Sequence, residues 1–201
     1  IYEKLYYILK DSDIDIETLL LVLLQRNKIA GLQQAKSDMN KFSRECSILL
    51  SKYYFDKRDF YLKTFYYILM DHNRINGDKN RAFFYLPKIE EVIKKINDVR
   101  ETATFYINAG RLCFNFRIFD KAVKYFDKAK VMIHEKNLND LSVSLDESYA
   151  DLYNKKGDHE NTKKVYKSMI DSGVYSNSPY YRGLLFAKYA FQQSRVLPVG
   201  L

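Results

Sequence analysis

Two amphipathic helices predicted between Thr102 and Lys136 limit the fold of this chain more than any other segment. Apolar and small residues recur there at helical spacing on both sides of a short turn. They are Phe105, Tyr106, Ala109, Gly110 and Cys113 before the turn, and Phe119, Ala122, Val123, Phe126, Ala129, Met132 and Ile133 after it. We expect Gly110 and Ala122 to mark a close crossing of the two helices, because larger side chains would force them apart.

The same pattern returns at a step of 40 residues. Ala82 precedes Ala122 by that step, and Tyr166 follows Phe126 by it. The turn segments 76–82, 116–122 and 156–162 align in the same register. Gly77 and Gly157 each precede an aspartate, which is typical of a helix that ends on a left-handed residue before a capped helix begins.

This pattern resembles the tetratricopeptide repeat, a helix–turn–helix unit of about 34 residues. Tyr106 matches an aromatic position of the family, and Ala109-Gly110 matches its leucine–glycine pair. The aromatic and alanine positions of the second helix are matched by Phe119, Ala122, Phe126 and Ala129. The chain departs from the family at Cys113, where tyrosine is usual, at His134, where proline is frequent, and at Asp146, where the next unit should have an aromatic residue.

The resemblance implies an all-α fold, a right-handed superhelical solenoid of antiparallel helix pairs. The 40-residue step implies longer helices, as in bacterial peptide-sensing regulators and some adaptor proteins. We expect one domain over residues 1–201, with repeats at about 23–62, 63–102, 103–142 and 143–182 and a partial repeat at 183–201.

Helical patterns and their breaks predict about nine or ten helices. Outside the central pair they are expected at Ile1 to Lys10, Ile16 to Ala30, Met39 to Tyr54, Arg58 to Ile75, Lys79 to Ile96, Leu138 to Lys155, His159 to Ile170 and Tyr180 to Arg195. Pro87 predicts a kink or an early break near Leu86.

Composition supports helices and excludes a membrane span. The chain has only 3 Pro and 7 Gly among 201 residues, with 13 Phe and 18 Tyr available for a core. The longest purely apolar run, Leu19 to Leu24, is far shorter than the roughly 18 residues that a span requires. No secretory signal is visible, and we expect a cytoplasmic protein. Because the chain begins at Ile1 rather than Met, we expect it to be a fragment.

A net charge of +8 raises the question of a nucleic-acid partner. The basic residues are scattered and interleaved with acids, so we interpret them as a solvated surface and expect no nucleic-acid contact through this segment. Cys46 and Cys113 lie on apolar helix faces, which favours two buried reduced thiols over a disulfide or a metal pair. His72, His134 and His159 are isolated, which predicts surface or turn positions.

No motif for catalysis, metal binding or a cofactor occurs in the sequence. We therefore expect neither an enzyme, nor a metal site, nor a cofactor. The family resemblance instead implies a concave groove that is lined by one face of each first helix. The residues carried onto that groove are Tyr67, Asp71, Arg74, Asn108, Arg111, Phe114, Asn115, Glu147, Asp151, Asn154 and Lys188. The lysine and asparagine pattern with which the family grips a C-terminal carboxylate is absent, which argues against that mode.

The leading hypothesis is a noncatalytic module that binds a protein or a peptide along the groove. Asn108 would serve a peptide bond, and Arg111 an acidic group. The alternative is the sensor domain of a peptide-pheromone-regulated bacterial transcription regulator or phosphatase-type regulator. The stripe of Leu184, Leu185 and Tyr189 on the last helix has no second helix to cover it in the sequence. This stripe predicts self-association through the C-terminal end.

Overall fold

The fold is all α-helical over the residues that the computed structural model describes, 16–33, 35–53 and 55–196. These residues form nine helices and no strand. The helices are α1 (Ile16–Leu32), α2 (Lys36–Lys52), α3 (Arg58–Ile75), α4 (Lys79–Ile96), α5 (Val99–Asn115), α6 (Phe119–Glu135), α7 (Asn139–Lys156), α8 (His159–Asp171) and α9 (Pro179–Val196). Consecutive helices pack in pairs, which confirms the predicted all-α helical-repeat architecture. The helix predicted at Ile1 to Lys10 lies outside the described residues.

The helix α4 continues through Pro87, so the predicted early break near Leu86 is wrong. Proline removes one backbone hydrogen bond from a helix interior. Here Pro87 faces solvent, while Leu86 and Ile89 on either side are buried. The apolar contacts of α4 with α3 therefore hold the helix together across the missing bond.

The chain divides into two compact units at Asp98 and Val99. In unit 1, α1 packs on α2 and α3 packs on α4, while α3 also contacts both α1 and α2. The core of α1, α2 and α3 is built around Leu20, Leu23, Phe42, Cys46 and Phe65. Phe42 is only 3% exposed, which makes it part of this core.

Unit 2 contains the central pair α5 and α6, the pair α7 and α8, and α9. The helix α5 contacts both α6 and α7, and α9 packs against α8. Phe126 of α6 is fully buried, and a second cluster joins Ala150, Tyr166, Met169 and Leu185. The helices α5 and α7, the first helices of their pairs, are thus neighbours, as in a helical-repeat stack.

The 40-residue step is present in the backbone as well as in the sequence. Gly77, Arg117 and Gly157 have φ of 74°, 60° and 79°, so each pair turns through a left-handed residue at the same place. Asp78 and Asp158 then accept hydrogen bonds from backbone amides three residues on, at 3.0 and 3.1 Å. The glycine–aspartate turn signals are therefore confirmed.

A side-chain arrangement also repeats at this step, once in each unit. In each set, a tyrosine ring from the first helix of a pair contacts a tyrosine ring from the second helix. A lysine ammonium lies over the ring from the first helix. The sets are Tyr66, Tyr85 and Lys88, with ring centroids 6.0 Å apart, and Tyr106, Tyr125 and Lys128, with ring centroids 6.2 Å apart. The pairs α3–α4 and α5–α6 are thus equivalent in side-chain packing as well as in helix order.

Gly110 gives the central pair its close approach. A Cβ atom built on Gly110 would lie 2.3 Å from Cε1 of Phe126, closer than real contacts allow. The neighbour of Gly110 is therefore the Phe126 ring of α6. Ala122, one turn before Phe126, is fully buried.

His72 is buried, so the prediction that it lies at the surface is wrong. Its imidazole on α3 enters a notch at Gly31 of α1, where a Cβ atom would lie 2.0 Å from Nε2 of His72. Only 6% of His72 is exposed, and Nε2 is buried without a hydrogen-bond partner among the described residues. Burial lowers the pKa of His72 below 6.5, while the Asn27 carbonyl and Asp71 oppose that shift.

We expect unit 1 to lose stability as the pH falls below about 6.5. Above that pH His72 is neutral in both states, but below it the unfolded chain binds a proton that the folded chain disfavours. Thermal unfolding at pH 7.5 and pH 5 measures the loss, and His72→Gln should reduce the difference between the two melting temperatures. The control is His134→Gln, an exposed histidine of α6. An equal pH response of the His72 variant and the parent would contradict the assignment.

The apolar stripe predicted on α9 is divided between its two sides. Leu185 and Tyr189 pack against the core around Tyr166 and Met169, so α8 covers them. The large apolar residues of α9 that remain exposed are Tyr180, Tyr181, Leu184, Phe186 and Phe191. No helix among the described residues is long and apolar enough to cross a membrane.

Candidate functional site

The predicted groove residues divide between the two units. Tyr67, Asp71 and Arg74 lie on α3 in unit 1, and the others lie on α5, α7 and α9 in unit 2. Within unit 1, Nε of Arg74 is 2.8 Å from Oδ1 of Asp71, one helical turn away. Tyr67 is half-buried. The two charged groove residues predicted in unit 1, Asp71 and Arg74, thus pair with each other before any ligand is present.

Arg111 links α5 to α7. Its Nε donates to Oγ of Ser148 at 2.8 Å, and its Nη2 donates to the backbone oxygen and to Oγ of Ser144, both at 3.0 Å. Ser148 also donates to the Ser144 carbonyl at 2.7 Å, which fixes the hydroxyl that receives Arg111. No hydrogen bond from Nη1 is present among the described residues. The guanidinium is therefore held in one orientation with one edge unused.

Two acidic side chains of α7 interact electrostatically with this guanidinium. Burial lowers the pKa of Arg111, and Glu147 and Asp151 on α7 oppose that shift. Burial raises the pKa of Asp151, and Lys188 of α9 opposes that shift. Arginine stays charged in proteins. Arg111 and Lys188 are therefore two positive groups in the same area as two negative ones, Glu147 and Asp151.

The Asn108 amide lies one turn before Arg111 on α5. It is half-buried, and the described residues provide no hydrogen bond to it. An amide can donate and accept at once, as a peptide bond does. We call Asn108, Arg111, Glu147, Asp151 and Lys188 the first-helix face, because α5 and α7 are the first helices of successive pairs and α9 follows the second of these pairs.

Asn115 and Phe114, at the end of α5, are engaged within the molecule. Asn115 donates to the Arg111 carbonyl at 2.9 Å and accepts from Nζ of Lys155 at 3.2 Å. Phe114 is 7% exposed, and its ring centroid is 6.3 Å from that of Phe126. Phe114 therefore supports the repeat from inside and offers little surface to a ligand.

Asn154, the last predicted residue of α7, belongs to a chain of hydrogen bonds that the sequence did not indicate. Gln192 of α9 donates to Oδ1 of Asn154 at 3.1 Å, and Oε1 of Gln192 is 2.9 Å from Nδ1 of His159. Gln192 is 3% exposed. These bonds join the end of α7, the start of α8 and the C-terminal part of α9.

Tyr175 is a second residue that sequence reasoning missed. It lies in the connection between α8 and α9, at a φ of 63°, and its hydroxyl donates to Oε1 of Glu147 at 2.9 Å. Periodicity marks residues on helices, so a side chain that reaches the face from a connection leaves no such signal. The left-handed conformation of a tyrosine is costly, which indicates that the surrounding contacts hold it there.

The first-helix face combines charged groups with a free amide, and Tyr175 reaches its Glu147 from a connection. No group of three or more His, Cys, Asp or Glu in the described part of the chain could hold a metal ion. The sequence matches no protein-family model, and no curated protein matches it. The repeat architecture therefore rests on the 40-residue step in sequence, backbone and side chains.

Proposed function

We propose that this chain is a noncatalytic module of the tetratricopeptide-repeat type that binds a peptide or protein segment on the first-helix face. The observation that carries the proposal is that Asn108 and Arg111 lie one helical turn apart on α5. One presents an unused amide, and the other an oriented guanidinium with an unused Nη1 edge. A peptide backbone needs the first kind of group, and an acidic side chain or terminus needs the second.

The surroundings of Arg111 limit which ligands this face can bind. Because Ser144 and Ser148 hold the guanidinium in place, binding an acidic group costs little side-chain ordering. The nearby Glu147 and Asp151 would repel a ligand that is acidic throughout. We therefore propose a partner segment with charges of both signs.

The test is a titration with a partner that the full chain captures and mass spectrometry identifies. We expect Asn108→Ala to weaken binding by about three- to tenfold, because one neutral hydrogen bond contributes about 0.5–1.5 kcal/mol. The matched control is Lys124→Ala, an exposed position on α6, away from the first helices. If the folded Asn108 variant binds as tightly as the parent, the first-helix face is not the binding surface.

A sensor domain in a peptide-regulated bacterial protein is the second candidate. The 40-residue step and the 17- or 18-residue helices of the pairs α3–α4 and α5–α6 favour the long repeat variant that such regulators use. The ligand would then be a short secreted peptide, which the domain would bind in the cytoplasm. This candidate predicts saturable binding of short, free synthetic peptides, whereas an adaptor would bind a segment that belongs to a larger protein.

A further inference from the structure

A small pocket lies beside Glu147 in unit 2, between α7, α8 and α9. Three tyrosine rings and one carboxylate line it, together with aliphatic side chains and one lysine. The lining residues are Glu147, Tyr166, Met169, Tyr175, Tyr181, Leu184, Leu185 and Lys188. A positive charge is stabilised over tyrosine rings and beside a carboxylate, so this lining suits a cation.

Glu147 presents one unused oxygen to the pocket. Its Oε1 accepts from the Tyr175 hydroxyl, and no hydrogen bond to Oε2 is present among the described residues. The Tyr175 contact fixes the carboxylate, while the ring of Tyr175 lies 5.4 Å from that of Tyr181. The acceptor and the aromatic wall are thus positioned before a ligand arrives.

The chain already places one of its own cations at this wall. Nζ of Lys188 lies 5.8 Å from the centroid of the Tyr166 ring and makes no ion pair within 4.0 Å in the described residues. The pocket is partly open to solvent, and its volume is about 20 Å³, enough for one water molecule. A second cation therefore has to displace the exposed Lys188 side chain in order to enter.

We propose that this pocket binds a basic side chain of the partner, a lysine or an arginine, which replaces Lys188 at the tyrosine rings. The ammonium or guanidinium contacts Oε2 of Glu147, and the aliphatic stem lies along Met169 and Leu185. The inference rests on the proposed function, because it assigns a residue of the bound segment to a place on the same face. It adds that the segment carries a positive charge next to the group that Arg111 binds.

The test uses Nα-acetyl-lysine methylamide as the probe and the norleucine analogue, which has no charge, as its control. The chain has four methionines, and of these Met169 lines the pocket. Methyl NMR of the full chain labelled at methionine then separates binding at the pocket from binding elsewhere. We expect the lysine probe to shift the Met169 methyl saturably and the norleucine probe to leave it unchanged.

Two substitutions should act in opposite directions. Glu147→Gln keeps an acceptor for Tyr175 and should weaken probe binding about tenfold. Lys188→Met removes the resident cation at similar length and should strengthen it by about two- to tenfold. The matched control, Glu135→Gln on α6, should leave the affinity unchanged.

Equal responses to the two probes, or a Lys188→Met variant that binds the lysine probe no more tightly than the parent, would overturn the inference. The probe experiment needs no partner, so it separates the two proposals. If the lysine probe does not shift the Met169 methyl while Asn108→Ala still weakens partner binding, only the pocket proposal is refuted. If the lysine probe shifts the Met169 methyl but Asn108→Ala does not weaken partner binding, only the proposal of the first-helix face is refuted.

Discussion

Phe126→Ala is expected to lower the free energy of unfolding by about 3–5 kcal/mol. Phe126 is fully buried at the centre of unit 2, where its ring meets Phe114 at 6.3 Å and Tyr149 at 5.2 Å. Gly110 supplies no side chain that could collapse into the space. The cavity therefore stays open, and its lining loses its contacts. Urea denaturation followed by circular dichroism measures the change, and Val131→Ala, a 55% exposed position on the same helix, is the control.

Substituting Gly110 tests the contact between Gly110 and Phe126 from the α5 side. The question is whether alanine raises or lowers the free energy of unfolding. Alanine stabilises an exposed helix interior by about 0.8–1.0 kcal/mol relative to glycine. Gly183 of α9 has nothing within 4 Å of an added Cβ atom, so Gly183→Ala should stabilise. Gly110→Ala should instead destabilise, because its methyl group would meet the Phe126 ring, and Phe126→Leu should relieve part of that cost in the double variant. Stabilisation by Gly110→Ala would show that α5 and α6 are not this close.

The fold could be predicted from the sequence because its determinants are local and repeat. Apolar spacing placed α3 and α4 at the observed boundaries, and the glycine–aspartate turns supplied the register. The failure at Pro87 has a tertiary origin, since packing on α3 outweighs one lost hydrogen bond. Secondary-structure propensity is overridden by packing in this way wherever the buried side of a helix is extensive.

The details of the face could not be predicted, because they depend on which side chains meet between helices. Arg111 lies 33 and 37 residues before its serine partners, and no spacing rule within one helix connects them. His72 is buried because Gly31, on another helix, leaves room for an imidazole. The Asp71–Arg74 pair is different, since a spacing of three on a helix predicts such a contact from the sequence.

Arg111→Ala is expected to weaken partner binding by about ten- to a hundredfold. A hydrogen bond to a charged group contributes about 1.5–3 kcal/mol, and Arg111 is the oriented donor at the centre of the first-helix face. The same substitution removes three hydrogen bonds to α7 and the positive charge that interacts with Glu147 and Asp151. It should therefore lower the stability of unit 2 as well, and a loss of binding by this variant has two causes.

Arg111→Lys separates them. A lysine keeps the charge but lacks the planar fork, so it cannot serve both serines and a ligand carboxylate at once. Ser148→Ala removes one partner of Arg111 and leaves its charge and unused edge in place. We expect Arg111→Lys to bind the partner at least several-fold more weakly than Ser148→Ala does, at a protein concentration and temperature where circular dichroism shows both to be folded. If the two folded variants bind equally well, Arg111 acts only by joining α5 to α7, and the acidic group of the partner is bound elsewhere.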